Sequence, residues 1–345
     1  MTKLFNALSI LLLALTVGRA WGQGTVITGT SITLSVEPWN IAFDNHNNTW
    51  GVTTYSSKVY ILNESGSTIL YTVTGFTCAD SIVFDSNNNT FLVADDCVKN
   101  LYNISESGVS TQLGTTLSMS PNLLSFDSHN NTYGVTTAAG TVYLINESGT
   151  IVHTVTGFSS TVPITFDSNT NNFIVGDQGT YKLSTINESG TATVLTSALS
   201  NTPYFLAFDS HNNTYGLTTT TNYFYIINES GTVLHTITSF LTTQFLAFSP
   251  NINSFGMTDT GTANTYYISE SGSITGTITG FSGIGGIAFD PHNNSFGVVN
   301  ENPQVVYFLG TPNHPIIPSV HRRTIAWRHR KHRERVMLAS LEIPR

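Results

Sequence analysis

The segment "FDSHNNTYGVTT" (126–137) returns almost unchanged as "FDSHNNTYGLTT" (208–219), 82 positions later. A chain that repeats a dozen residues at such a distance is built from copied units. Looser copies extend the pattern to seven segments. Their anchor phenylalanines are Phe43, Phe84, Phe126, Phe166, Phe208, Phe248 and Phe289, spaced 40 to 42 residues apart. An Asp follows this Phe everywhere except in the sixth segment, where Ser249 takes its place.

Each segment reads as four short strands. In the third they are "LLSFD", "TYGVTT", "TVYLIN" and "TIVHTVTGF", rich in the Val, Ile, Thr, Tyr and Phe that suit a pleated, half-buried surface. Turn signals separate them. "NESG" sets a Gly able to take positive φ behind three polar residues, which suits a type I turn with a G1 bulge. "DSHNNT" supplies an Asp that can cap its own turn and asparagines that tolerate the left-handed region. A four-stranded unit of this length, copied seven times, predicts an all-β, seven-bladed β-propeller.

The ends of the repeat array predict how the ring closes. The seventh segment has strands near 287–290, 295–299 and 304–309 and lacks a fourth. The missing piece stands at the front: "GTVITGTSITLSVEPWNIAFD" (24–44) matches "GSTILYTVTGFTCADSIVFD" (66–85), a fourth strand running into the next unit. The N-terminal strand is therefore expected to complete the last blade and close the ring. The units also alternate. His46, His129, His211 and His292 mark the first turns of the odd segments, whereas the even ones read "SNNNTFLVADD", "SNTNNFIVGDQ" and "PNINSFGMTDT". A pair of blades of about 82 residues is the unit that was copied.

Stretches such as "NIAFDNHNNTWGVTTYSSKVYILNESGSTILYTVTGF" (40–76), and the "VADD" at 93–96, resemble NHL-type propeller repeats. The resemblance spans about residues 24–310. It departs from the family where Asn replaces the usual turn Gly and where the basic residue of the third strand is mostly missing. It implies the fold, and relatives that bind proteins, RNA or small ligands. It carries no catalytic residue onto this chain.

Outside the repeats, residues 1–22 have the basic start, short apolar run and small-residue end of a secretory signal peptide. The apolar run is shorter than the roughly 20 residues of a membrane-spanning helix. Residues 311–345 form a basic tail, read as disordered or partly helical. Charge is unevenly divided: residues 24–310 hold three lysines, no arginine and nineteen acids, and the tail holds eight basic residues and two acids. An acidic body argues against nucleic acid as the partner. The expectation is a secreted monomer that binds an extracellular protein or glycan.

By strand parity the first–second and third–fourth turns share one rim of the ring. All ten N-x-S/T sequons fall there: Asn47, Asn63, Asn88, Asn103, Asn130, Asn146, Asn187, Asn212, Asn228 and Asn293. Glycosylation would clothe that rim and leave the other bare. The bare rim carries more varied loops, and loops on a rigid scaffold carry function. Its candidate ligand-facing residues are Asn40, Asp80, Asp95, Asp96, Asn122, Asp177, Asp259 and Glu301. Cys78 and Cys97 also fall on this rim and are expected to form a disulfide. No cofactor is expected, although Asp80, Asp95 and Asp96 are weak candidates for a Ca²⁺ site. The recurring Asp after each anchor Phe reads as a turn cap. His153 and His235 read as exposed on outer strands. Two functions follow: a binding or adhesion module working through the bare rim, or a lactonase-like, metal-dependent hydrolase or lyase using the channel.

Overall fold

The computed structural model describes residues 25–26, 29–196 and 199–311. The expected signal peptide and nearly all of the basic tail lie outside the described residues. The rest is a ring of seven antiparallel four-stranded sheets. Blades one to six span 38–74, 79–113, 121–155, 161–196, 203–237 and 243–279. Blade seven combines three strands of 284–310 with the N-terminal strand Gly29–Thr33. That strand pairs antiparallel with Val305–Gly310, Gly29 opposite Leu309 and Thr33 opposite Val305. The closure expected from the repeat offset is therefore present. One pairing was not foreseen: Thr25–Val26 runs parallel to the outer strand of blade six, so the N-terminal segment ties two neighbouring blades.

The repeated segment 126–137 shows how one blade is held together. Phe126 lies on the channel side and packs against Tyr133, ring centroids 5.3 Å apart. The equivalent pair recurs in all seven blades at 4.6 to 5.7 Å. Asp127 is buried and accepts the N–H groups of His129 and Asn130 at 2.8 and 3.1 Å, so the recurring Asp is a turn cap. Asn131 closes the turn at φ +54, and an Asn at φ +51 to +56 stands at this place in every blade. Asn tolerates the left-handed region better than other residues with a β-carbon. The Tyr133 hydroxyl donates to Asp85 of the preceding blade. Gly134 leaves a socket for the next blade: a β-carbon there would lie 2.7 Å from Ile164 and 2.8 Å from Phe173.

Sockets of this kind let adjacent sheets interlock. Seven buried apolar clusters result, one at each interface between blades. The cluster joining blade seven to blade one includes Leu34, Val306 and Phe308 with Trp50 and Tyr60, so the seam is packed like the other interfaces. At the outer edge the "NESG" glycine serves twice. Gly231 takes φ +80, and a β-carbon on it would lie 2.1 Å from the carbonyl oxygen of Leu195 in the preceding blade. Gly190 and Gly272 press against His153 and His235 in the same way. Those two histidines are half-buried, because the following turn covers one side of each ring.

Candidate functional site

The innermost strands carry the channel wall, and each contains a register shift close to its start, as between Pro121 and Leu124 in blade three. A β-bulge re-aims side chains and frees them from strict alternation. In blade three the Thr136 hydroxyl accepts the N–H of Leu123 at 3.1 Å, holding the bulge; Thr53, Thr218 and Thr258 do the same for Asn40, Phe205 and Phe245. The second residue of these seven strands is Trp39, Asp80, Asn122, Val162, Tyr204, Gln244 and Gly285 in blade order. All seven differ, although the strands end in almost the same residues. The copies have diverged where the bulge removes the packing constraint.

These bulges lie at the rim without sequons, and several of their side chains converge on the mouth of the channel. The Trp39 ring lies 4.5 Å from Tyr55 and 5.2 Å, edge-on, from Phe245 of blade six. Phe245 continues to Phe205 at 4.4 Å, and Phe205 to Tyr204 at 4.9 Å. Trp39 reaches blade six across blade seven because Gly285 and Gly286 stand there. A β-carbon on Gly285 would lie 2.9 Å from the Trp39 carbonyl oxygen and 3.4 Å from the Glu301 carboxylate.

Acids surround this aromatic chain. Trp39 lies beside Asp80 and favours its charged form. Burial, and then the charge of Asp96, push the Asp80 carboxyl up to about 6; the neighbouring Trp39 side chain only partly opposes them. Burial followed by Glu37 raises Glu301, and burial followed by Asp95 raises Asp96. Tyr55 is raised by burial and by Glu301, Glu37 and Asp80, and Tyr204 by burial and Asp80. The Tyr55 N–H donates to the Glu37 carbonyl at 3.1 Å. Among the described residues no basic side chain balances these carboxylates, there is no Arg, and the ion pairs all involve histidines of the opposite rim.

No protein-family profile matches the chain, and no curated protein sequence does. The resemblance to NHL repeats stands at the level of the propeller fold.

The expected ligand-face residues divide into two groups. Asp80, Asp96 and Glu301 belong to the mouth, and Asn40 and Asn122 occupy bulges at its edge. Asp95, Asp177 and Asp259 are buried and bind the scaffold. Each accepts two backbone N–H groups of the connection entering its blade: Thr77 and Cys78 at 2.6 and 2.9 Å, Ser159 and Ser160 both at 3.1 Å, Leu241 and Thr242 at 3.0 and 2.8 Å. Burial alone would raise Asp177, but the Thr180 hydroxyl and the N–H groups of Ser159, Ser160 and Gly179 hold it below the ordinary range. A disulfide joins Cys78 to Cys97, with Cα atoms 5.5 Å apart, and pins the same connection to the same loop in blade two. Among the described residues, the one group of three potential ligand atoms within 4.8 Å of one another is Cys78, Asp96 and Cys97. Its two sulfurs are bonded to each other, so that group is no metal centre.

At the other end the channel opens into a cavity of about 550 Å³, lined by Phe43, Phe84, Phe126, Phe166, Phe248 and Phe289, by neutral polar groups such as Asn45 and Ser86, and by no charged side chain. The sequons sit on this rim, in the first–second turns and in or next to the third–fourth turns. The two ends of one channel therefore differ in chemistry. Sequence reasoning reached Asp80, Asp96 and Glu301 at the mouth but not Glu37, Trp39, Tyr55, Tyr204, Phe205 and Phe245. The available signal was the failure of the second position of each inner strand to repeat.

Proposed function

We propose that this protein is an exported, glycosylated binding module that takes an extracellular protein or glycan at the channel mouth of its sequon-free rim. The observation that carries this reading is the assembly of aromatic and acidic side chains at that mouth around an inner-strand position that differs in every repeat. A scaffold of copied blades has no structural use for such divergence in one place, whereas a ligand without sevenfold symmetry requires it. Concave sites that combine aromatic walls with a few oriented polar groups are the usual form of binding sites. Glycans on the opposite rim would leave this face open. A hydrolase or lyase reading draws less support. Of its three candidate metal acids, Asp95 is engaged by backbone N–H groups, Asp96 sits beside a disulfide, and Asp80 lies against Trp39.

The test is capture on glycan and extracellular-protein arrays by protein expressed in a eukaryotic secretory host, with Trp39→Ala in parallel. Partner capture lost in the variant is the expected result. Capture that survives Trp39→Ala would overturn the placement of the site. Glycosidase treatment is expected to lower the mass in steps, with the modified peptides mapping to the sequon rim.

A further inference from the structure

We propose that the channel mouth recognises an alkylammonium group, held against the faces of Trp39 and Tyr55 with Asp80 and Glu301 as counter-charges. The inference rests on the mouth being the binding site and names the chemistry that would be recognised there. Four observations lead to it. First, Trp39 and Tyr55 lie 4.5 Å apart at an interplanar angle of 46°, and Tyr55 is 53% exposed, so the pair forms an open aromatic corner. Aromatic faces attract cations through the ring quadrupole, Trp most strongly. Second, four carboxylates, those of Glu37, Asp80, Asp96 and Glu301, act on this corner or on one another. Third, among the described residues no cation is supplied to them. Lys58 donates to the Ser35 hydroxyl and Lys99 to the Ser118 carbonyl, and Lys182 lies in blade four, three blades from Trp39. Fourth, Trp39 lies beside Asp80 and favours its charged form, which sets the carboxylate next to the ring.

Partly buried carboxylates that repel one another, with no cationic partner among the described residues, are stabilised by a ligand that brings positive charge. An aromatic wall selects among cations. A small hydrated metal ion gains less from ring faces than an ammonium group with apolar substituents. A neutral sugar would satisfy the rings and leave the carboxylates uncompensated.

The experiment is calorimetric titration of the intact protein at pH 7.5 with choline and with butylammonium. Their neutral counterparts 3,3-dimethylbutanol and butanol, and sodium chloride at matched ionic strength, serve as controls. At least one ammonium probe is expected to bind saturably, and at least tenfold tighter than its neutral counterpart. Choline above butylammonium would identify a quaternary head group, and the reverse a lysine-like primary one. Asp80→Asn and Glu301→Gln are each expected to weaken binding at least fivefold, with cooperative thermal melts showing that both variants are folded. Equal binding of charged and neutral probes, no saturable binding of either ammonium, or unchanged affinity in both variants would overturn the inference. Array capture that depends on Trp39 while the ammonium probes stay silent would sink this inference alone. Capture that ignores Trp39 would sink the placement of the site beneath it.

Discussion

Replacing Asp80 with Asn is expected to stabilise the protein at neutral pH while removing a ligand group. The Asp80 carboxyl is raised from 3.8 to about 6, by burial first and by Asp96 second. About two pH units correspond to roughly 3 kcal/mol of preference for the protonated form. The folded state therefore holds this proton more tightly than the unfolded chain. Asp80 lowers wild-type stability progressively as pH rises from about 4 to about 6, and the loss persists above that range. The amide of the Asp80→Asn variant would keep the size of the side chain and carry no ionisable group. The variant should match wild type near pH 3.5 and exceed it by up to about 3 kcal/mol at pH 8, or less where solvent reaches the carboxylate. For a domain of this size that is a Tm gain of about 3–10 °C. The charged neighbours Asp96, Glu301 and Glu37 are present in both proteins, so the difference between the two curves isolates Asp80. Thermal melts at one-unit steps from pH 4 to 8 measure it. A variant less stable than wild type at pH 8, or a gap independent of pH, would refute the reasoning.

Three further outcomes follow from the scaffold. Reducing the Cys78–Cys97 bond, or replacing both cysteines with Ser, frees a closed loop of about 20 residues and should cost about 3 kcal/mol; melts with and without reductant read it. Tyr215→Phe removes the hydroxyl that donates to Asp167 at 2.6 Å across the interface of blades four and five. The expected loss is about 2 kcal/mol in denaturant unfolding, and no loss would mean that the bond contributes nothing net. Gly231→Ala forces a β-carbon into a left-handed residue 2.1 Å from a backbone oxygen. It should cost at least about 1–3 kcal/mol in the same assay, whereas Gly75→Ala, with φ +105 but nothing within 4 Å, isolates the part due to backbone alone.

The fold was legible because its determinants are local and are repeated. Alternating strand residues, the Asp cap, the left-handed Asn and the "NESG" glycine each act within a few residues of themselves, and seven copies make the pattern unmistakable. The N-terminal closing strand was legible for the same reason, as the fragment missing from the last copy. The disulfide followed from the parity of the loops. Asp95, Asp177 and Asp259 were harder. A loop acid that binds a ligand and one that caps two N–H groups of an incoming connection look alike until the connection is placed. The mouth was hardest. Trp39 and Phe245 are 206 positions apart and meet only because the ring closes and blade seven offers Gly285 and Gly286 between them. No local pattern marks such a pair.

Symmetry explains why the site falls where it does. Copied blades produce equivalent walls, so a channel built from identical strands offers a ligand seven equal surfaces. The lower part of each inner strand cannot diverge freely: its Phe packs on a second-strand aromatic and its Asp caps the turn. Asp290 illustrates the cost of departing from that plan. Its Oδ2 is buried without a partner, because the position that donates a hydroxyl in blades three and five is Trp50 in blade one, whose N–H goes to the Glu64 carbonyl instead. At the bulges the ladder is already broken and a threonine hydroxyl holds the backbone, so a side chain there can change size and charge with little structural consequence. Asymmetry accumulates at that level of the channel, which makes the bulge residues the place where one member of a copied ring can acquire a ligand of its own.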